Sequence, residues 1–406
     1  MRRASLFLVL LGLVAMPARA QNGTQPTMAK NAILLGWDGA HRDHVKALLK
    51  EDKLPNLQQL ISEGTLVDVD VKSGATDTKA GWTQILTGYR PEVTGVYNNG
   101  RFRDVPAGYS IFERLRAQYG ADQIATGAAI GKKGHCGEVD PPFKKPLTEA
   151  DAEAAAKPAA KPGKKGKGIR QLGVKGQQRG RVVVENGQKF LVFEGSPYYT
   201  MHNHVDQWHF GLTLDDKVGD KALELLDEYG RKPFFFFVHC AEVDHSGHKH
   251  GEPSPEYNAA IISGDKQLGR IVEKLKQLGV YDKTLIYVTA DHGFDVGGKG
   301  HGNAPQVFLG TNDKQVLRGG TRADITPTIL DRLGVDLTKI TPPLDGETLA
   351  KPATKTAQDE HLVKPKRAQA KPQVKPGREA KKANRGKQDE TNTPKAKANR
   401  KTKASQ

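Results

Sequence analysis

The chain has 406 residues, of which 37% are hydrophobic, and its formal net charge is +16. Residues 351–406 contain 17 Lys and Arg, 5 Asp and Glu and no aromatic residue, so they cannot bury enough apolar surface to fold alone. We expect a disordered basic tail over 351–406, and the high isoelectric point therefore does not describe the surface of the folded region. The tail is either simply solvated or contacts nucleic acid or an anionic envelope surface through its charge.

The first residues have the pattern of an export signal. Arg2 and Arg3 precede an apolar run over residues 6–16, and residues 18–20 form a small-x-small cleavage site. That run is too short to span a bilayer comfortably, and no later segment approaches transmembrane length. We expect residues 1–20 to be a cleaved signal peptide and the mature protein to be periplasmic or secreted.

Residues 21–350 alternate strand-like with helix-like patterns. This predicts one α/β domain with a mostly parallel central sheet and helices on both faces. In chain order, Asn31–Gly39 is an apolar strand ending in Asp-Gly, LPNLQQLISEG has helical spacing, and LVDVDV alternates as a strand should. Two more buried strands, FFFFVHC and TLIYVT, flank a helix predicted over Asn258–Leu278.

Residues 141–210 interrupt the alternation. Up to about residue 180 they are rich in Lys, Ala, Pro and Gly, and RVVVENGQKFLVFEG then predicts a β-hairpin that turns at Asn186-Gly187. We interpret 141–210 as an insertion or cap, part ordered and part flexible. Its basic side chains either attract anionic substrates or belong to a solvated loop.

Acids and imidazoles follow three of the apolar strands. Because the carboxyl ends of strands in an open α/β sheet meet at the ligand crevice, we expect these side chains to lie together although they are far apart in sequence. Singly, each has a structural alternative, as a turn residue or a satisfied histidine. The set is Asp38, Asp244, His248, Asp291, His292 and His301.

Three carboxylates and three imidazoles without a thiolate suit Zn²⁺ and tolerate other divalent ions. Six protein ligands exceed the needs of one tetrahedral zinc and suit two ions that share a substrate oxygen. Cys136 and Cys240 are the only cysteines and lie outside any CxxC motif, so a thiolate site is not expected. Whether these two cysteines form a disulfide cannot be decided from their spacing.

A nucleophile is available in ATDTKAGWTQILTG. Thr76, Thr78 and Thr83 precede or open a short helix that ends at Gly88. A hydroxyl at a helix N-terminus lies near free backbone N–H groups that also suit a phosphoryl group, and coordination to a metal would lower its pKa. Each threonine has an alternative role as an N-cap, and the pattern does not choose among them.

Several motifs in order resemble the alkaline phosphatase superfamily, in particular its type I phosphodiesterase/nucleotide pyrophosphatase branch. The resemblance covers roughly residues 30–140 and 205–335. The motifs are LLGWDG, LPNLQQLISEG, TKAGWTQILTGYRPEVTGV, DHSGH, VTADHGF, GKGHG and RADITPTILDRLGV.

The resemblance implies roles for particular residues. The nucleophile of that branch lies nine positions before a Thr-Gly, which implies Thr78. Asn99, in YNN, would contact a phosphate oxygen. One zinc would be held by Asp38, Thr78, Asp291 and His292, and a second zinc by Asp244, His248 and His301.

The sequence departs from this branch directly after the nucleophile. The branch has Phe-Pro-Asn where this chain has Lys79-Ala80-Gly81. Lys79 would either add positive charge beside the phosphate or point to solvent, and the preference between diesters and monoesters stays open.

The resemblance implies a two-zinc phosphohydrolase, of the phosphodiesterase or nucleotide pyrophosphatase type, that forms a covalent phospho-threonine. The alternatives are a phosphomonoesterase or phosphonate hydrolase of the same superfamily, a sulfatase, and a catalytically silent protein attached to the envelope. A sulfatase would need Cys/Ser-x-Pro-x-Arg, which TKAGW does not match. A silent protein would be expected to have lost metal ligands.

Overall fold

The computed structural model describes residues 29–149 and 180–354. The predicted signal peptide, the middle of the predicted insertion and all but the first few residues of the predicted tail lie outside these ranges. The strands are β1 (Asn31–Trp37), β2 (Thr65–Asp70), β3 (Ala125–Ile130), β4 (Phe143–Pro146), β5 (Arg181–Glu185), β6 (Gln188–Phe193), β7 (Gln207–Phe210), β8 (Phe234–Cys240), β9 (Thr284–Thr289), β10 (Gln306–Thr311) and β11 (Gly320–Thr321). The helices are α1 (Arg42–Lys50), α2 (Pro55–Glu63), α3 (Thr78–Thr87), α4 (Pro91–Thr94), α5 (Ile111–Tyr119), α6 (Tyr199–His202), α7 (Asp215–Tyr229), α8 (Glu242–His250), α9 (Pro255–Gln277) and α10 (Ile325–Arg332).

Eight strands form a central sheet in the order β11-β2-β10-β9-β1-β8-β3-β7. Every neighbouring pair is parallel except the two pairs that contain β10. Parallel strands need crossover connections, and here helices provide most of them, which explains the alternating sequence pattern. The predicted α/β class with a mostly parallel sheet is confirmed.

Helices cover both faces of the sheet, and β1 shows how closely they pack. Successive residues of a strand point to opposite faces. A Cβ added at Gly36 would lie 2.2 Å from the ring of Trp82 in α3, and one added at Gly264 in α9 would lie 2.8 Å from the indole of Trp37. The glycines therefore let α3 and α9 approach β1 from its two sides, and all seven residues of β1 are buried.

A smaller antiparallel sheet, β4-β6-β5, lies within the segment predicted as an insertion. Its hairpin turns at Asn186 and Gly187, both with left-handed φ values of 49° and 78°, as the Asn-Gly pair predicts. The end of the segment differs from the prediction, because β7 pairs with β3 in the central sheet.

Two further points concern the described residues as a whole. Cys136 and Cys240 are both buried and are free thiols, so the two do not form a disulfide. Across residues 29–149 and 180–354, every helix is either too short or too polar to cross a lipid bilayer.

Candidate two-cation site

The candidate ligands lie at the carboxyl ends of three adjacent strands, β9, β1 and β8. Asp38 follows β1 directly, and Asp291 and His292 follow β9. Asp244 and His248 lie one turn apart in α8, which begins just after β8. The sheet order therefore brings these side chains together, as their positions after the strands predict.

Thr78 is the first residue of α3, and Asp77 caps the helix by accepting a hydrogen bond from the backbone N–H of Ala80 at 3.3 Å. The Thr78 side chain is buried, and its Oγ1 faces the acidic cluster. Thr76, one of the alternatives, instead donates its hydroxyl to the carbonyl of His301. Between Thr76 and Thr78, the geometry favours Thr78, whose Oγ1 lies 2.8 Å from the Nζ of Lys132.

The ligand atoms form two overlapping groups. In each of these groups the ligand atoms lie within 4.8 Å of one another: Asp38, Asp244 and His292 in one, and Asp244, His248 and His301 in the other. The Nε2 atoms of His248, His292 and His301 lie 3.4, 3.9 and 4.0 Å from Asp244 Oδ1. Asp291 joins the first group through its Oδ2, 3.4 Å from His292 Nε2.

Three buried polar atoms at this point have no hydrogen-bond partner among the described residues. They are Asp244 Oδ1, Asp291 Oδ2 and His292 Nε2. Buried polar atoms in proteins are nearly always paired, so three unpaired atoms facing each other are unusual. Two carboxylate oxygens and one imidazole nitrogen in such a cluster are a suitable ligand set for a divalent cation, and we conclude that the residues fit one.

The tautomer of each histidine is fixed by a backbone carbonyl. Nδ1 of His248 lies 2.9 Å from the carbonyl oxygen of Lys299, and Nδ1 of His292 lies 3.0 Å from that of Gly293. Nδ1 of His301 contacts the carbonyl of Thr76. A carbonyl only accepts, so each Nδ1 carries the proton and each Nε2 presents a lone pair to the cluster, the arrangement typical of metal-binding histidines.

The electrostatics favour neutral imidazoles at two of these positions. Burial lowers the pKa of His292, and burial together with the charge of His292 lowers the pKa of His301 to about 4. Contact with the Asp244 carboxylate raises the pKa of His248. For Asp291, burial and the neighbouring charge of Asp38 raise the pKa well above its usual value.

Lys132 is the main site residue that the sequence analysis missed. It follows β3, and its Nζ lies 2.8 Å from each of Asp38 Oδ1, Asp244 Oδ2 and Thr78 Oγ1. Burial alone would lower the pKa of this ammonium, but Asp244 and Asp38 outweigh it and raise the pKa. A permanent positive charge therefore contacts the candidate nucleophile and an acid from each group.

His239 was also missed. It is the sixth residue of β8, is fully buried, and its Nε2–H donates to Asp38 Oδ2 at 2.8 Å. The indole N–H of Trp82 donates to the same oxygen at 3.1 Å. Burial alone would raise the pKa of Asp38, but Lys132 and His239 outweigh it and hold that pKa well below its usual value. Asp38 is thus kept ionised, with one oxygen fixed and the other facing Lys132.

Asn99 and Lys79 lie at the start of α3. The side-chain oxygen of Asn99 accepts from the backbone N–H of Lys79 at 2.9 Å, which leaves its NH₂ group as a donor. The Lys79 side chain is fully buried. Its Nζ forms an ion pair with Glu138 and lies 3.9 Å from the centre of the Phe102 ring. Lys79 therefore does not point to solvent, and its charge beside the site is balanced by Glu138.

Known proteins similar in sequence include a 2,3-bisphosphoglycerate-independent phosphoglycerate mutase of Natronomonas pharaonis, 32% identical over 182 residues that make up 40% of this chain and 33% of that protein. Ectonucleotide pyrophosphatase/phosphodiesterase family member 1 of Mus musculus is 32% identical over 98 residues, 24% of this chain and 11% of that protein. The chain thus spans only a third or less of the length of these relatives.

A solved structure similar to this one is a protein of the alkaline phosphatase superfamily from Vibrio parahaemolyticus, with a TM-score of 0.47 and 19% identity over 82% of this chain and 72% of that one. A similarity of this degree says nothing about activity. The sequence model of the type I phosphodiesterase / nucleotide pyrophosphatase family, in contrast, matches residues 32–328, which include all the candidate ligands. The chain therefore belongs to the type I phosphodiesterase / nucleotide pyrophosphatase family, as its motifs predicted.

Proposed function

We propose that this protein is a two-cation phosphoric ester hydrolase of the phosphodiesterase or nucleotide pyrophosphatase type, with Thr78 as its nucleophile. The observation that carries the proposal is the contact of Thr78 Oγ1 with Lys132 beside a buried cluster of unpaired carboxylate and imidazole atoms. Family membership supports the same class of reaction.

The ligand assignment is the one that the family resemblance implies, and five of its seven residues belong to the two overlapping groups. One cation would be held by Asp38, Thr78, Asp291 and His292, and the other by Asp244, His248 and His301, with zinc as the first candidate because the set combines imidazoles with carboxylates. Asp244 Oδ1 also faces His292, so this carboxylate lies between the two groups. Bound cations would lower the pKa of the threonine hydroxyl and polarise the phosphoryl oxygens.

The residues of the chain would act as follows. The hydroxyl proton of Thr78 would pass to solvent, and Lys132, which donates to Thr78 Oγ1, would stabilise the alkoxide. The alkoxide attacks phosphorus as the bond to the leaving oxygen breaks, and the leaving oxygen takes up a proton from water. The NH₂ group of Asn99 would donate to a phosphoryl oxygen. Water then attacks the phospho-threonine, releasing the phosphate product and restoring the hydroxyl.

Lys79 bears on the choice between diester and monoester. A monoester carries one more negative charge than a diester, and a free ammonium beside the nucleophile would favour it. Here Glu138 balances Lys79, which supports a diester as the substrate. Export of the mature protein remains part of the proposal, based on the sequence pattern of residues 1–20.

A side-by-side assay tests the function. The full mature chain, supplied with zinc, is incubated with bis-p-nitrophenyl phosphate, p-nitrophenyl phosphate, p-nitrophenyl sulfate and a phosphonate ester. We expect the diester to have the highest kcat/KM. A higher value for the monoester or phosphonate would establish the corresponding alternative, and cleavage of the sulfate alone would reject phosphoryl transfer altogether.

A further inference from the structure

Arg322 is a fully buried cation that the proposed reaction does not use. It opens a short 3-10 turn, Arg322–Asp324, just before α10. Its guanidinium makes four hydrogen bonds, all to backbone carbonyls. Nη1 donates to Asp291 at 2.7 Å and to Ala75 at 3.1 Å, and Nη2 donates to Ser73 at 2.8 Å and to Ala75 at 3.1 Å.

Such an arrangement is costly. Burial lowers the pKa of Arg322 to about 10, so the group stays charged near neutral pH, and its Nε is buried without a hydrogen-bond partner among the described residues. Carbonyl dipoles compensate a buried charge less well than a carboxylate in contact would. A residue kept at this cost is expected to contribute something other than stability.

The three carbonyls belong to two separate segments that carry candidate site residues. Asp291 is at the end of β9, whereas Ser73 and Ala75 lie in the loop that leads into α3 and Thr78. The guanidinium therefore donates hydrogen bonds to both segments at once, although they are more than 200 positions apart in sequence.

The packing of α3 on Asp291 is equally close. A Cβ added at Gly81, one turn after Thr78, would lie 2.5 Å from Asp291 Cβ and 3.0 Å from Arg322 Nη1. Real Cβ atoms do not approach other atoms that closely, so α3 would have to move away from Asp291. The spacing between helix and strand end is therefore set on one side by a glycine and on the other by Arg322.

We infer that Arg322 is a positioning residue that sets the distance between Thr78 and Asp291, which the proposed function assigns to the same cation. The inference rests on the proposed function, but its test includes cation binding, which can be measured whether or not the protein hydrolyses phosphate esters. A displacement of either ligand by a fraction of an ångström would weaken binding of one cation and misplace the nucleophile, without touching the substrate.

The first experiment uses Arg322→Lys in the full chain, which keeps the charge and loses the fork. We expect kcat on bis-p-nitrophenyl phosphate to fall about 10- to 100-fold with little change in KM, and one of two cations to bind to metal-stripped protein about 10-fold more weakly by calorimetry. The matched control is Arg114→Lys in α5, since Arg114 is also buried but donates to Tyr89 Oη and the carbonyl of Tyr109.

Two further variants guard against a folding defect. Gly81→Ala should lower kcat and cation affinity in the same way, because its methyl group would displace α3 from Asp291 without removing the Arg322 guanidinium. Arg322→Ala should regain part of its cation affinity and kcat in millimolar guanidinium, whereas Arg114→Ala should gain nothing.

Normal kcat and cation affinity in Arg322→Lys would overturn the inference, as would equal losses in Arg114→Lys. If the wild-type chain binds two cations but cleaves no phosphate ester, the proposed function fails and calorimetry still decides the role of Arg322.

Discussion

Two buried carboxylates in different parts of the molecule differ in how many of their oxygens accept hydrogen bonds. Asp265 in α9 caps α2, where its two oxygens accept from the backbone N–H groups of Asn56 and Leu57 and from the Asn56 side chain. Asp291, at the candidate site, accepts from Gly39 N–H with one oxygen, and its other oxygen is unpaired within the described chain. A saturated carboxylate holds the fold together, whereas a half-satisfied one is available to a ligand.

The largest effect is expected when the proposed nucleophile of the candidate site is removed. Thr78→Ala should lower kcat by on the order of 10⁴-fold or more, because it removes the hydroxyl that Lys132 contacts and that would form the covalent intermediate. Cation binding, measured by calorimetry, should survive in weakened form. Thr76→Ala is the companion variant, and full activity in Thr78→Ala with loss in Thr76→Ala would move the nucleophile to Thr76.

The next largest effect is expected at Lys132. Lys132→Met keeps the length of the side chain and removes the charge that contacts Thr78, so kcat should fall about 10²- to 10³-fold. Lys133→Met is the control, since the neighbouring Lys133 is exposed and should tolerate the change. Equal kcat values in the two variants, measured on the diester, would remove Lys132 from the mechanism.

The comparison of the two acids can be tested directly. Asp265→Ala should lower the free energy of unfolding by about 1–3 kcal/mol, because buried N–H groups lose their acceptor, and should leave cation affinity unchanged. Asp291→Asn should abolish binding of one cation and raise the Tm of metal-free protein, because burial and Asp38 already disfavour its charge. Thermal melts and calorimetry on both variants would show whether the contrast is real; identical profiles would refute it.

The smallest expected effect concerns Asp215, which lies between these extremes. Its Oδ1 caps α8 by accepting from Ala241 and Glu242 N–H, and its Oδ2 is buried without a partner in the described ranges. Burial and the charge of Glu242 raise its pKa to about 7.

Because the folded state holds this proton more tightly than the unfolded chain, Asp215 makes the protein less stable as pH rises from about 4 to about 7. Asp215→Asn keeps the cap and should raise Tm at pH 8 but not at pH 4. An equal change in Tm at both pH values would contradict the assignment.

Much of the site could be predicted because it follows strand ends. Asp38, Asp291 and the start of α8 come together once a mostly parallel sheet is assumed, and the order of β9, β1 and β8 makes them neighbours. The i, i+4 spacing of Asp244 and His248 on one helix needs no tertiary information.

The residues that were missed depend on contacts that no local pattern displays. Lys132 follows ATGAAI, a strand too poor in β-branched and aromatic residues to be recognised. His239, alone among apolar neighbours, has the pattern of a satisfied core histidine. The ion pair of Lys79 with Glu138 joins positions 59 residues apart, so no local pattern shows that this side chain is buried instead of pointing to solvent.

The absence of a side chain at Gly36, the last residue but one of β1, affects more than the strand itself. The ring of Trp82 packs directly against Gly36, and its indole N–H donates a hydrogen bond to Asp38 Oδ2. A methyl group at position 36 would displace Trp82, and the hydrogen bond from Trp82 to Asp38 would be lost or would move the Asp38 carboxylate. Gly36 therefore helps to set the position of Trp82 and, through its indole N–H, the orientation of Asp38.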